Sequence, residues 1–231
     1  MPSTSKTLHF LSSALATSIS VGILGFAMSS EWATKTMVCA RGGSSFFNGS
    51  ATIRLELFDA RLERDICPLF EPPVDFQVVP KLIETKGVPV VLHTMSLCLL
   101  VLCLLSSAVS ILISLYNSIS NPYETYMGPV GVYTCSSISA CFSFLVLVLF
   151  VVNFQATTIA EDLVRSFADN VPVDLRITSS KMQLGYYLLI PYAVLSLLAV
   201  ALIYIYDHAA YTQRREQQRP TEDAPKEIMM Y

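Results

Sequence analysis

Between Lys86 and Glu161 the chain carries one charged side chain, Glu124, and the stretch around it is unlike its flanks. Residues 121–133 read NPYETYMGPVGVY, a polar, turn-forming break between two long apolar runs. One run ends near Leu115 and the other starts near Val130. Asn-Pro opens a turn, and Gly128-Pro129 closes it with a proline suited to the first turn of a new helix. Apolar runs joined by so short a link must lie antiparallel, and each is long enough to cross a bilayer. The centre of the chain is therefore a membrane hairpin.

A spanning helix needs about 20 mainly apolar residues with essentially no charge. Residues 8–28, 88–115, 130–153 and 183–206 meet that condition. The spacing predicts a short tail over 1–7, a large loop over 29–87, a hairpin over 116–129, a second loop over 154–182 and a flexible tail over 207–231. Only 14% of the residues are charged, against about a quarter in a soluble domain, and the shortfall lies in these four windows. The net charge of −3, with no basic helix, excludes a nucleic-acid partner. The first window is diluted by Ser12, Ser13, Thr17, Ser18 and Ser20. It is open to an alternative reading as a cleaved signal peptide with Lys6 at its basic end. It is long for a signal core and lacks a small-x-small exit before Ser29, so a retained helix is expected. The fold class is an all-α membrane protein, a four-helix bundle under a small β-containing external cap.

The cap is read from the large loop, whose seven basic residues balance eight acidic ones. Residues 52–57 alternate, with Ile53, Leu55 and Leu57 on one side, as a half-buried strand does. Residues 75–79 are a weaker strand candidate. Asn48-Gly49-Ser50 is a glycosylation sequon, which places the loop outside the cell or in the lumen and both termini in the cytosol. Cys39 and Cys67 are the only cysteines outside the apolar windows. In an oxidising compartment a bridge between them is expected, with two free thiols as the alternative. Closing such a loop is worth about 3–4 kcal/mol in the chain-entropy picture. Cys98, Cys103, Cys135 and Cys141 read as small apolar residues, with Cys135 also placed for palmitoylation.

Each predicted helix carries a small-residue face. The rows are Ala14, Ser18, Gly22 and Gly25; Ser96, Cys103, Ser107, Ser110, Ser114 and Asn117; Ser136, Ala140 and Ser143; and Gly185, Tyr192, Ser196 and Ala199. Such rows let backbones approach and predict a left-handed bundle, able also to pack against other membrane proteins in the lipid bilayer. A polar channel lining is the sharper alternative. Residues 144–152 are uniformly bulky and suit lipid, and Pro191 predicts a kink. Tyr116, Tyr123, Tyr126 and Tyr133 bracket the hairpin like an interfacial belt. The tail ends Met229-Met230-Tyr231, apolar at its last and third-last positions, as a PDZ ligand is. A cytoskeletal adaptor is another candidate partner there.

Chemistry-bearing patterns are missing. No charge lies inside a span, where transport and proton relays keep theirs. No CxxC, HExxH, GxSxG or phosphate-loop pattern occurs. His93 reads as an interfacial residue and Glu161-Asp162 as a solvated pair. No catalytic, metal or cofactor site is expected, and the chain is read as non-enzymatic.

NPYETYMGPVGVY resembles the intracellular hairpin of the clarin family. The shared pattern is Pro122, an aromatic, Glu124-Thr125, then Gly128-Pro129-x-Gly131, an aliphatic residue and Tyr133. The wider LYNSISNPYETYMGPVGVYT, the opening MPSTSKTLHFLSS, the sequon position and the tail QRREQQRPTEDAP extend the resemblance over the whole chain in outline. It implies a four-helix plasma-membrane glycoprotein related to the claudin and peripheral-myelin-protein superfamily. There the first external loop forms a small sheet marked by a Trp and two cysteines, places that Trp32, Cys39 and Cys67 would fill. Glu56-Leu57-Phe58 keeps only part of the Gly-Leu-Phe segment expected before the second cysteine, which leaves the strand register open. By analogy with sensory hair cells and synapses, the resemblance implies a scaffold for membrane-protein and cytoskeletal complexes. A claudin-like junction protein and an auxiliary channel subunit are the rival functions.

Overall fold

The computed structural model describes residues 4–41, 49–67, 71–119, 128–168 and 173–218. Four helices are long and apolar enough to cross a membrane, over Thr4–Met28, Val88–Ile119, Gly128–Ala156 and Leu184–Ala209. The first three are α1, α3 and α4. The fourth stretch divides into α6, Leu184–Tyr187, and α7, Leu189–Gln218. The interruption falls at Leu188 because Pro191 has no N–H to return to the Tyr187 carbonyl. In the bundle α1 lies beside α3 and α7, and α4 lies beside the same two, so the four close into a ring.

The ring closes on small polar residues. The whole stripe from Ser96 to Asn117 on α3 is buried, as are Ser136, Ala140 and Ser143 on α4. Ser110 and Ser136 share a hydrogen bond at 2.9 Å, and the Cys103 Sγ donates to the Ser139 carbonyl at 3.5 Å. Tyr192 joins this seam from α7, its hydroxyl 2.9 Å from Ser107 Oγ and 3.3 Å from the Cys103 carbonyl. Side chains this small let the backbones close in, and Cys103, Ser107, Ser110 and Tyr192 find partners across the seam.

Two expectations about helix faces fail. On α1 only Ala14 of the predicted row is buried, and Ser18, Gly22 and Gly25 are exposed. The packed face is Phe10, Ser13, Thr17, Ser20, Leu24 and Ala27. Thr17 and Ser20 donate to the Ser13 and Thr17 carbonyls of their own helix at 2.9 and 2.8 Å, and Ser13 donates across the seam to the Ala199 carbonyl of α7 at 3.3 Å. A polar row can therefore be buried at little cost. On α4, Val146 and Phe150 turn inward, so residues 144–152 are not uniformly a lipid face.

The cap is a five-stranded antiparallel sheet in the order β4-β3-β2-β1-β5. The strands are β1 Ala33–Arg41, β2 Gly49–Leu55, β3 Asp59–Asp65, β4 Glu71–Gln77 and β5 Val173–Met182. β2 ends where the alternation of residues 52–57 led one to expect a strand, with Ile53, Leu55 and Leu57 buried. The candidate at 75–79 is corrected. The strand stops at Gln77, and Val78 and Leu82, four residues apart, form the inward face of α2, Val78–Thr85. β5 comes from the second loop. Its sequence DLRITSSK lacks the apolar alternation of a buried strand because one edge and one face are open. A short helix, α5, Ile159–Arg165, sits under the sheet. Cys39 on β1 and Cys67 beyond β3 are joined by a disulfide, with Cα atoms 5.6 Å apart. Gly49, the middle residue of the sequon, opens β2 against the Ile66 backbone. A Cβ there would fall 2.1 Å from the Ile66 carbonyl oxygen, so only glycine fits. Asn48 lies outside the described residues.

At the β2–β3 turn, burial and then the nearby Asp59, Glu31 and Asp75 raise the Glu56 carboxyl above its usual 4.5. The folded chain thus holds this proton more tightly than the unfolded chain, and stability falls as pH rises from that value through the raised one. Glu56→Gln is expected to raise the thermal midpoint of the detergent-solubilised protein at pH 7. Repeating the melt at pH 4 should show the gain gone.

Candidate functional site

The cap is seated on the bundle through a cluster of buried residues drawn from both. Trp32 is the centre of that junction and is fully buried. Its indole Nε1 donates at 2.7 Å to the Ala27 carbonyl, one of the carbonyls a helix leaves without an internal partner at its C-terminus. Its own N–H donates to Leu55 at 2.8 Å, and its carbonyl accepts from the Gln183 N–H at 2.8 Å. One residue thus ties the end of α1 to β2 and to the entry of α6. The ring meets Phe150 of α4 edge-on at 4.8 Å, the contact that turns Phe150 away from lipid. Gly185 lets α6 pass this close. A Cβ there would lie 2.6 Å from the indole Cδ1 and 2.9 Å from the Ala27 oxygen.

Beside the tryptophan is a buried cation. On β1 the inward register takes Ala33, Lys35, Met37 and Cys39, so a lysine points into the core with 1% of its surface exposed. Its Nζ donates to the Phe154 carbonyl at 3.2 Å and stands 3.5 Å from Glu161 Oε2. Glu161 is therefore no solvated residue, as its pairing with Asp162 in sequence suggested, since its side chain is only 14% exposed. Asp162 instead accepts from the Thr158 hydroxyl at 2.7 Å at the start of α5. His93, near the start of α3, is likewise buried, its Nε2 donating to the Leu57 carbonyl at 2.9 Å.

A second tie holds the two loops together. Arg64 of β3 donates to the Phe167 carbonyl at 2.8 Å and pairs with Glu71. The Phe167 ring lies under the Arg64 guanidinium at 5.9 Å and the Lys81 ammonium at 4.8 Å, and packs on Phe76 at 4.9 Å. On the outer face Arg54 and Arg61 share Glu63 at 3.8 and 3.6 Å. Both are exposed, and such pairs are worth about 0–1 kcal/mol each.

The marker residues Trp32, Cys39 and Cys67 all belong to this cap. Of the hairpin motif, Gly128 and Pro129 open α4, Gly131 is buried in it, and Tyr133 packs on the Phe10, Val132 and Ile203 cluster. Pro122, Glu124 and Thr125, like Met229 and Tyr231, lie outside the described residues. Lys35, Glu161, Arg64 and Phe167 escaped the sequence reading because their partners are over a hundred residues apart. One signal was available, a lysine in phase with Ala33, Met37 and Cys39.

The family model described as Clarin-2-like matches residues 4–204, which take in the cap and nearly all of the four long helices. The chain belongs to the clarin family. Over its whole length and theirs, it is 32% identical to Clarin-3 of Homo sapiens and 30% identical to Clarin-3 of Mus musculus. Clarin-1 of Mus musculus is 24% identical over 71% of this chain and 72% of its own. This clarin-family chain is thus a multi-pass membrane protein whose four apolar helices carry a disulfide-closed antiparallel sheet.

Glu161→Ala should lower stability by about 3 kcal/mol, because it leaves the buried Lys35 uncompensated. Unfolding in detergent checks it, and Lys35→Met combined with Glu161→Leu should lie closer to wild type than Glu161→Ala alone. Gly185→Ala should cost about 1–3 kcal/mol by overpacking the indole. The chain has one tryptophan, so a changed emission maximum of the folded variant reports the displacement of Trp32 directly.

Proposed function

We propose that this clarin-family chain is a non-enzymatic scaffold of the plasma membrane. It gathers other membrane proteins beside its bundle and offers its cytosolic tail, through Met229 and Tyr231, to a PDZ or cytoskeletal adaptor. The observation that carries this reading is the face of α1 that its own bundle leaves unused. Ser18, Gly22 and Gly25 are exposed, and outside the backbone of α1 itself no heavy atom lies within 4 Å of where a Cβ would stand at Gly22 or Gly25. Small residues turned toward lipid gain little there, whereas another helix can approach closely over them. The orientation follows the sequon: Asn48 carries a glycan outside the cell, and both termini are cytosolic. The setting, sensory or epithelial cells, is carried by family analogy.

Proximity labelling from an N-terminal tag in native tissue tests the reading, comparing wild type with the Gly22→Leu, Gly25→Leu double variant. Enriched membrane proteins should fall by about tenfold in the variant, the equivalent of 1.4 kcal/mol of lost association. Surface level and glycosidase sensitivity at Asn48 should be unchanged. An identical set of neighbours with both chains, or enrichment of tight-junction proteins in place of other membrane proteins, would overturn it.

A further inference from the structure

The sheet has two edges, and they are treated differently. β4 carries Pro72 and Pro73 in succession, neither with an N–H to offer, which blunts that edge against a further strand. β5 runs ten residues without a proline and, among the described residues, is bonded to β1 on one side only. Ile177 on it is 45% exposed. Asp174, Arg176 and Lys181 are exposed too, and none of them makes an ion pair among the described residues.

The β1–β5 register fixes which way each residue faces. Lys35, Met37 and Cys39, all inward, stand opposite Ser180, Ile177 and Leu175. The register shifts between Thr36 and Met37, which pair with Ser179 and Ile177, so Thr178 has no counterpart on β1. That extra residue inverts the alternation. Val173, Leu175, Ile177, Ser180 and Met182 share the inner face, and Asp174, Arg176, Ser179 and Lys181 share the outer one.

We propose that two copies of this chain join their caps by antiparallel pairing of β5 with β5, Asp174 of each opposite Lys181 of the other. In this register all ten residues are paired. Val173 meets Met182, Leu175 meets Ser180 and Arg176 meets Ser179, each pair on a common face because of the inversion at Thr178. The two-fold symmetry makes the Asp174–Lys181 contact twice. Sliding the strands by one residue sets inner side chains against outer ones. Sliding by two sets Arg176 against Lys181 in one direction and carries Lys181 past the end of β5 in the other. Self-complementarity of charge and face therefore selects one alignment. Met182 leads through Gln183 directly into α6, so the two bundles stand at opposite ends of a ladder about 30 Å long. Copies so joined meet from facing membranes.

The proposal rests on the external placement of the cap given above, and the test separates the two. Two cell populations express the full chain with Thr178→Cys and different tags, and are mixed under a short membrane-impermeant thiol cross-linker. Mixed-tag dimers are expected, and absent from cells whose chain lacks the substitution. Their yield should fall about fivefold or more when both populations carry Asp174→Lys, or both carry Lys181→Asp. It should return when one population carries Asp174→Lys and the other Lys181→Asp, because every contact then again joins a lysine to an aspartate. That recovery also shows that each variant is folded. Dimers formed only on co-expression in one cell, or no recovery in the crossed mixture, would overturn the pairing. Failure of the Thr178→Cys variant to take an impermeant thiol label on intact cells, beyond the level seen without the substitution, would overturn the external placement, and the pairing with it.

Discussion

The architecture depends on one hydrogen-bonded ring, the Trp32 indole set on a carbonyl in the last turn of α1. A helix leaving a bilayer exposes its last carbonyls where water is scarce, and an unpaired one there is costly. The indole gives the Ala27 carbonyl, which also accepts from the Ser30 N–H, a second donor while placing its apolar body against Phe150 and under Gly185. The same residue that terminates the first span therefore starts the sheet, seats it on α4 and receives α6. An aliphatic residue at position 32 could fill the space but could not donate the bond.

From that seat outward the cap is held by pairs remote in sequence. Lys35 reaches Phe154 and Glu161, and Arg64 reaches Phe167. A buried ammonium or guanidinium is tolerated only with compensating oxygen, so these contacts specify how the second loop lies against the first. The disulfide closes the far end. Below the seat the physics differs, because lipid offers helices no hydrophobic incentive to associate. There the bundle relies on close approach over serines, alanines and glycines. Tyr192 adds a large hydrogen-bonding side chain that joins α7 to α3.

Much of this was legible in the residues themselves. Uncharged windows locate the spans because the bilayer forbids uncompensated charge. The α3 stripe reads correctly as a packing face because that helix is apolar on every other side. On α1 two small-residue rows coexist, and only the neighbours decide which one packs. Ser13, Thr17 and Ser20 take the packed side, where Ser13 donates to the Ala199 carbonyl of α7, and Ser18, Gly22 and Gly25 are left to the outside. The alternation over residues 52–57 announces β2, Gly49–Leu55, whereas β5 is not announced that way, since an edge strand with one open face has no need of it.

The sequence by itself determined the number of spans, the hairpin at the centre, the cysteines of the bridge and the family. Each rests on a local property: hydropathy over one helix length, turn chemistry over a few residues, or the identity of a motif. Only the tertiary structure decided that Lys35 is an interior residue, that Glu161 answers it, that Gly185 is glycine for the sake of Trp32, and that β5 is left with an open edge. Those follow from which elements come to lie side by side, and no spacing along the chain encodes a contact between residues over a hundred positions apart.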